Sequence, residues 1–341
     1  MSFVCSFNQY PPLRWCHQLA VLWFGLAIST SLTSAQDNVQ LPDGVRMERD
    51  VPYIQDGDDS QRLDLYLPDS PPEKPLPVIV HIHGGGWRGG NKFPCPVLYM
   101  TERGYVVASV EYRFSQKATF PAQIQDCQAA IRWLRANSDK YHIDADKVGV
   151  VGASAGGHLS ALVGTSGGQK AFEPIGGNED QSDRVQCVID IFGPASFASV
   201  MQQAEDDENV RNIFEFNSSS DPYSLLIGET LNEDPEKTNA VSPIHYVSEE
   251  TPPMLILHGT HDALVPYAQS LELVEALKAK EVPVWLQTLP GSGHGGPAFT
   301  KPPVVALMQS FFDKHLKGAE IDIELVPESE VAVTPPQPTA N

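Results

Sequence analysis

A glycine-rich turn near the middle of the chain constrains its fold more than any other feature. The stretch Gly152-Ala153-Ser154-Ala155-Gly156 places a serine between two glycines, each two positions away. This spacing is typical of a nucleophile elbow, in which a strained turn between a strand and a helix holds a serine hydroxyl clear of the backbone. Glycine fits on both sides because the chain passes too close there for a side chain.

The segments that flank this turn fit the same interpretation. Residues 147–151 predict a short buried strand, and residues 155–163 predict the beginning of a helix. The plainer alternative is a glycine-rich turn with an incidental serine. That alternative requires neither a strand before the turn nor a helix after it, so the context favours Ser154 as a nucleophile.

Strand-like and helix-like patterns alternate along the chain, which predicts an α/β fold with a mostly parallel sheet covered by helices on both faces. A hairpin of residues 51–55 and 62–67 is expected at a sheet edge, after a loose polar lead-in at 36–49. Further strands are predicted at 78–83, 106–110, 147–151, 185–192, 254–258 and 282–289, and helices from 121, at 155–163, at 267–280 and at 304–315.

The first 35 residues predict a signal peptide. Arg14 precedes an apolar run at 19–28 that is too short to span a bilayer, and Thr33-Ser34-Ala35 is a small-residue cleavage site. Cleavage after Ala35 would send the protein to the periplasm or the medium, with no stable membrane association afterwards. An uncleaved membrane anchor is the alternative.

The rest of the chain is expected to form one catalytic domain at residues 36–318. Residues 194–251 separate two core strands, are rich in acids, Asn and Ser, and lack a strong apolar run. Because ordinary connections are much shorter, this stretch predicts a cap over the site, with a disordered surface insertion as the alternative. Residues 319–341 are acidic and proline-rich without periodicity, which predicts a disordered tail.

Charge and cysteine content narrow the possible partners and cofactors. A net charge of −20 repels phosphate backbones and therefore disfavours nucleic acid as a partner. Loss of the signal peptide would leave three cysteines, Cys95, Cys127 and Cys187. Their spacing matches no metal motif, and three buried free thiols are favoured, although export would permit one disulfide.

Ser154 needs a base to activate its hydroxyl and a third group to orient that base. Asp262 follows one predicted strand, and His294 lies in a glycine-rich loop after the next strand. In this set Ser154 would attack an acyl carbonyl, His294 would take and return the proton, and Asp262 would fix the histidine tautomer. The chain order Ser154, Asp262, His294 resembles that of α/β-hydrolases. Asp190 and Asp221 remain alternative acids.

A second glycine-rich stretch, His83-Gly84-Gly85-Gly86-Trp87, follows a predicted strand. Consecutive glycines allow backbone N–H groups to face a cleft, and such donors stabilise the negative oxygen of a tetrahedral intermediate. Gly85, Gly86 and Ala155 are therefore the predicted oxyanion donors. Trp87 is either a further donor or part of the substrate pocket. A plain turn after a buried strand is the alternative.

Three further histidines near these motifs are expected to be structural. His83 would brace the glycine loop, His158 would pack on the helix after the elbow, and His261 would be a loop residue. The alternation of His81 and His83 on one strand could suggest a metal, but no carboxylate or cysteine pattern nearby supports one.

These motifs resemble the hormone-sensitive-lipase-like esterases of the α/β-hydrolase superfamily, over roughly residues 61–317. Within that family the chain is most similar to the secreted branch of bifunctional feruloyl and acetylxylan esterases. The resemblance is carried by the stretches at 83–87, 152–157, 258–266 and 293–295, with further similarity at 111–114 and 120–123. One departure is Ala153, where many relatives carry a polar residue before the nucleophile.

The resemblance implies an acyl-enzyme mechanism without a cofactor, and removal of acetyl or feruloyl groups from plant polysaccharide such as xylan. A general short-chain carboxylesterase or lipase is the alternative, although the polar stretch at 194–251 disfavours long acyl chains. A peptidase of the prolyl-oligopeptidase type would carry a large additional N-terminal domain. A non-catalytic binding protein on the same scaffold would be expected to lack a member of the triad.

Overall fold

The computed structural model describes residues 40–210 and 216–335. The predicted signal peptide at 1–35 lies outside the described residues, as do residues 211–215 and 336–341. Within the described part of the chain, no helix is long and apolar enough to cross a membrane.

The described residues form one eight-stranded sheet with the strand order β1-β2-β4-β3-β5-β6-β7-β8. The pairs β1–β2 and β2–β4 are antiparallel, and all the others are parallel. The strands are β1 Val45–Pro52, β2 Arg62–Pro68, β3 Leu76–Ile82, β4 Val106–Val110, β5 Ile143–Ala153, β6 Cys187–Ile191, β7 Met254–Gly259 and β8 Val284–Leu289. The predicted mostly parallel sheet with a hairpin at its edge is confirmed.

The first strand begins earlier than the sequence predicts. β1 starts at Val45, inside the segment expected to be a loose lead-in. Val45 and Met47 alternate with charged residues and pack against the core from the edge of the sheet. Val45 and Met47 are the apolar residues among the first six positions of this half-exposed strand, so the pattern that marks its beginning is weak.

The helices follow the strands in the order expected of an α/β protein. They are α1 Ala122–Ala136, α2 Ser138–Tyr141, α3 Ala155–Ser166, α4 Val200–Asp206, α5 Pro222–Ile227, α6 Pro235–Ala240, α7 Tyr267–Ala279, α8 Pro302–Lys317 and α9 Glu328–Val331. Short 3₁₀ turns occur at Leu98–Arg103, Pro243–Tyr246 and Pro297–Thr300.

Two apolar clusters cover the two faces of the sheet. Alternating side chains of β3 divide between them, with Val80 in one cluster and Ile79 in the other. Apolar residues of α1, α3 and α7 complete the first cluster, and those of α8 complete the second. Cys95, Cys127 and Cys187 are buried free thiols, which is the state that the sequence favours.

The stretch predicted as a cap (residues 194–251, called the cap below) contains α4, α5, α6 and a 3₁₀ turn. Val200, Leu226 and Val241 anchor it in the core, because all three are fully buried. These apolar residues are scattered rather than periodic, so the stretch looks polar in sequence although its described part is folded.

The described part of the tail differs from the predicted disorder. Residues 319–335 follow the end of α8 and include the short helix α9. Val331 is completely buried and Val326 nearly so, and both belong to the apolar cluster around α8. The prediction of a disordered tail is wrong for this part, because a few valines anchor a segment that is otherwise acidic and proline-rich.

Candidate active site

Ser154 occupies a strained turn between β5 and α3. Its backbone has φ 58° and ψ −122°, a conformation that non-glycine residues rarely adopt and that marks functional sites. The Ser154 N–H donates to the carbonyl of Ile191 at 2.9 Å, which ties the turn to β6. A Cβ on Gly152 would collide with the carbonyl of Gly156, and a Cβ on Gly156 would collide with that of Ile82. The turn therefore requires both glycines.

Asp262 and His294 come together at the carboxyl ends of β7 and β8. The Nδ1 atom of His294 lies 2.7 Å from Oδ2 of Asp262. Because a carboxylate can only accept, Nδ1 carries the proton, and Nε2 is left as the basic nitrogen. Ser154 and His294 line the same cavity.

Each oxygen of the Asp262 carboxylate has two hydrogen-bond donors beside it. Its Oδ1 accepts the N–H groups of Leu264 at 2.8 Å and Val265 at 2.9 Å. Its Oδ2 lies 3.3 Å from Nε2 of His258, in addition to the contact with His294. Burial alone would raise the pKa of this carboxyl, but the hydrogen bonds from His258 and His294 outweigh burial and hold the pKa well below its usual range.

The contact of His258 with Asp262 is absent from the sequence prediction. His258 is fully buried on β7, and its Nδ1 lies 2.6 Å from the hydroxyl of Ser270 on α7. Its Nε2 faces two acceptors, Asp262 and the carbonyl of Val265 at 3.2 Å, so Nε2 carries the proton. The available signal was a histidine at the end of a buried strand, four residues before the acid.

The two alternative acids have other partners. Asp190 is buried on β6, where its Oδ1 accepts the Gly193 N–H at 2.8 Å, and burial raises its pKa to about 7. Asp221 caps the beginning of α5 by accepting the N–H groups of Tyr223 and Ser224. Asp262 is thus the carboxylate that contacts His294.

The glycine loop after β3 lies beside the elbow. Gly85, Gly86 and Ala155 line the same cavity as Ser154. Gly85 has φ +116°, and a Cβ there would collide with the carbonyl of Gly89, whereas the nearest atom to a Cβ on Gly86 would be 3.6 Å away. The close approach of residues 85 and 89 within this loop therefore requires glycine at position 85, and the φ of +60° at Gly86 also favours glycine there.

Trp87 and His158 connect this loop to the cap. The indole N–H of Trp87 donates to Nδ1 of His158 at 3.1 Å, and Nε2 of His158 donates to the carbonyl of Val241 at 2.7 Å. Burial lowers the pKa of His158 to about 4, so this histidine is neutral at physiological pH. Its predicted packing role agrees with these contacts, and Trp87 also lines the cavity.

The three histidines at positions 81, 83 and 261 have structural partners. His83 stacks on the ring of Tyr112 at 4.5 Å. His81 lies with Nδ1 2.9 Å from the Ser109 hydroxyl. His261 contacts the hydroxyl of its neighbour Thr260. Within residues 40–210 and 216–335, no group of three or more His, Cys, Asp or Glu side chains is arranged to hold a metal ion.

The cavity has a volume of about 490 Å³ and a largely apolar lining. The Phe192 ring packs against the His294 ring at a tilt of 51°, with centroids 4.5 Å apart, and the Phe192 backbone has φ 44°, which is unusual for an aromatic residue. Leu264 is 39% exposed. The larger apolar side chains of the lining are Trp87, Phe192, Pro194, Pro222, Tyr223, Leu264 and Val265.

Fold and site together define the class of the protein. A mostly parallel sheet, a serine on a strained strand–helix turn, and an Asp–His pair after the last two strands are the features of an α/β-hydrolase. The model of the BD-FAE family matches residues 63–277. Since this match spans more than half of the chain, the protein belongs to the BD-FAE family, and the resemblance seen in the sequence is confirmed.

Known proteins of similar sequence or structure include several esterases. Esterase LipC of Mycobacterium tuberculosis is 32% identical over 245 residues, which cover 70% of this chain and 58% of LipC. A truncated carbohydrate esterase from gut microbiota has a TM-score of 0.70 and 31% identity, covering 80% of this chain and 96% of that one. The acetyl ester-xyloside bifunctional hydrolase of Caldicellulosiruptor lactoaceticus has a TM-score of 0.56 and 31% identity, covering 75% and 84%. The chain spans 56% to 58% of the length of LipC and of two further Mycobacterium tuberculosis relatives, Esterase LipQ and the probable carboxylic ester hydrolase LipM.

Proposed function

We propose that this protein is a serine carboxylesterase that works through an acyl-enzyme intermediate. The observation that carries the proposal is the hydrogen bond between His294 and Asp262, beside a cavity that also contains Ser154 on its strained turn. A serine, an oriented imidazole and a buried carboxylate form the minimal set for acyl transfer.

In the proposed mechanism, Ser154 attacks the carbonyl carbon of the ester. His294 Nε2 accepts the hydroxyl proton and then donates it to the leaving alcohol, while Asp262 stabilises the imidazolium. The backbone N–H groups of Gly85, Gly86 and Ala155 are assigned to the oxyanion. Water then attacks the acyl-enzyme by the same route, with His294 again as the base, and releases the acid and free Ser154.

We propose acetyl or feruloyl esters of plant polysaccharide such as xylan as the substrates. Two solved neighbours at 31% identity are described as a carbohydrate esterase and an acetyl ester-xyloside hydrolase, which supports a sugar on the alcohol side. The apolar cavity with Trp87 at its wall offers space for the acyl group. Short-chain esters are the second candidate, favoured by the predominantly apolar lining and by the mycobacterial esterases.

We further propose that residues 1–35 act as a signal peptide and that the mature protein begins at residue 36. The amino-terminal sequence of protein recovered from outside the cytoplasm tests this. A first residue at or near Gln36 is expected, whereas recovery of the intact chain would contradict cleavage.

Acetate release from acetylated xylan by residues 36–341 tests the substrate, with Ser154→Ala as the matched control. Release by the wild type alone is the expected result. Hydrolysis of a small acetyl ester without release from xylan would reject the polysaccharide substrate and favour the short-chain alternative. Equal release by both proteins would contradict the serine mechanism.

A further inference from the structure

The segment after α8 contacts the loop that carries His294. We call residues 290–301 the His294 loop and residues 326–333 the strap. The loop connects β8 to α8, and the strap follows α8 in the chain and contains α9. The two segments meet at both ends of the loop.

The strap is anchored to the sheet through Gln287 on β8. The Oε1 atom of Gln287 accepts the Val326 N–H at 2.7 Å, and its Nε2 donates to the Val326 carbonyl at 3.1 Å. Gln287 is 2% exposed, so this reciprocal pair is shielded from competing water. The buried side chain of Val331 adds an apolar anchor in the same cluster as Phe299 of the loop.

Hydrogen bonds join the strap to both ends of the His294 loop. At the first end, the Val333 N–H donates to the carbonyl of Pro290 at 3.0 Å. At the second end, Lys301 Nζ donates to the carbonyl of Glu330 at 2.9 Å. A Cβ on Gly291 would collide with the carbonyl of Val333, so glycine is needed for this close approach. The loop is therefore held at two points that flank His294.

The part of the loop next to His294 has little packing of its own. Gly295 has φ +94° and Gly296 has φ +106°, and a Cβ on either would meet nothing within 4 Å. Glycines in open surroundings have many accessible conformations. The opposite side of the loop is fixed by the His261 N–H, which donates to the Ser292 carbonyl at 2.8 Å. His294 thus depends on neighbouring segments for its position.

We propose that the strap is a positioning element that keeps the His294 imidazole on Asp262 in the orientation needed for proton transfer. This inference rests on the proposed esterase function for its effect on turnover, but its effect on the loop does not depend on it. Displacing a catalytic group by about 1 Å can cost about 10²-fold in rate. Loosening the strap is therefore expected to lower kcat with little change in KM, because no strap residue lines the cavity.

The test uses the full mature chain with the paired substitutions Lys301→Met and Val333→Pro, which remove the two bonds to the loop. Lys314→Met is the matched control, since Lys314 Nζ donates to the Ile321 carbonyl away from the loop. Turnover of p-nitrophenyl acetate is measured per active serine, counted with an organophosphorus reagent, at a temperature well below the Tm of each protein. We expect kcat to fall about 10- to 100-fold in the paired variant and to remain unchanged in the control.

Hydrogen exchange of the peptide that covers residues 290–301 is the second measurement, and it requires no turnover. Faster exchange in the paired variant than in the control, with exchange of β5 unchanged, is expected. Unchanged loop exchange, or unchanged kcat per active serine, would overturn the proposal. If the wild type has no esterase activity but the loop still exchanges faster in the paired variant, the esterase function is rejected. The strap's role in fixing the loop is then still supported.

Lys301→Met alone, in the full mature chain, covers the case in which the paired variant does not fold. It removes the bonds from Lys301 Nζ to the carbonyls of Glu330 and Ala332. A fall in kcat per active serine together with faster exchange of residues 290–301, both relative to Lys314→Met, supports the proposal. Wild-type kcat or unchanged loop exchange in this variant contradicts it.

Discussion

The Nε2 atom of His258 lies 3.3 Å from Oδ2 of Asp262, the same oxygen that contacts Nδ1 of His294 at 2.7 Å. Two imidazoles thus share one carboxylate oxygen, while backbone N–H groups occupy the other. The Ser270 hydroxyl fixes the far side of the His258 ring. Both oxygens of Asp262 are therefore held in place, and of the two imidazoles that contact it His294 lines the cavity whereas His258 does not.

Replacing His258 with glutamine is expected to lower kcat/KM about tenfold or more, because a hydrogen bond to a charged group contributes ~1.5–3 kcal/mol. KM should change little, since His258 does not line the cavity. Ser270→Ala removes only the bond to Nδ1 and should have a smaller effect. Steady-state kinetics measure kcat and KM of both variants and the wild type, at equal concentrations of folded protein. A His258→Gln enzyme with normal kcat but a lower Tm would limit His258 to a structural role.

Asp262→Asn is expected to reduce kcat about 10⁴-fold, as for the equivalent change in a serine protease triad. The amide would present a donor to groups that are themselves donors, and His294 would lose the partner that selects its tautomer. Circular dichroism should still report a folded protein. Asp190→Asn is the matched control, because its amide oxygen can still accept the Gly193 N–H, and its kcat should stay within a few-fold of wild type. A loss below tenfold for Asp262→Asn would assign the role to another carboxylate.

Asp190 is expected to make stability depend on pH. Burial raises its pKa to about 7, whereas an unfolded Asp titrates near pH 3.9. Between about pH 3.9 and pH 7 the folded state binds the Asp190 proton more tightly than the unfolded state does. The free energy of unfolding of the wild type therefore falls as the pH rises through this range, and it stops falling above the folded pKa. Asn at this position does not titrate.

The free energy of unfolding of Asp190→Asn relative to wild type should therefore increase by about 2–3 kcal/mol from pH 5 to pH 8. Urea unfolding of both proteins at the two pH values measures this difference. A pH-independent difference would mean that Asp190 titrates normally in the folded protein.

Gly85→Ala should be far more damaging than Gly86→Ala. Both glycines have positive φ, +116° at Gly85 and +60° at Gly86, which strains alanine at either position. Only a Cβ at position 85 also collides with the Gly89 carbonyl, since a Cβ at position 86 has its nearest neighbour 3.6 Å away. If Gly85 contributes to the oxyanion hole, distortion there should reduce kcat about 10²- to 10³-fold. The ratio of kcat values for the two alanine variants is the decisive quantity. Equal and small losses would place the oxyanion donors elsewhere.

The arrangement of Ser154, Asp262 and His294 could be predicted because each follows a strongly patterned strand. The order of parallel strands then brings loops that are distant in sequence to one edge of the sheet. The glycines of the elbow carry a local signal as well, since their close contacts lie within the turn and with β3.

Two features could not be predicted in the same way. One is the contact of His258 with Asp262, and the other is the strap. His258 belongs to a buried apolar strand, and nothing in its pattern indicates which side chain it faces. The strap depends on Val326, Val331 and Val333, whose spacing follows neither a helical nor a strand period. Gln287, which anchors the strap, is 39 residues away from Val326 in sequence. For both reasons the sequence of the strap resembles that of a disordered segment, although the strap is packed.

Covalent labelling with an organophosphorus ester tests the central claim most directly. Intact mass and peptide mapping are compared for the wild type, Ser154→Ala and His294→Ala after equal exposure. The account predicts a single adduct on Ser154 in the wild type, none in Ser154→Ala, and much slower labelling in His294→Ala. An adduct on another residue of the wild type, or equal labelling of wild type and Ser154→Ala, would contradict it.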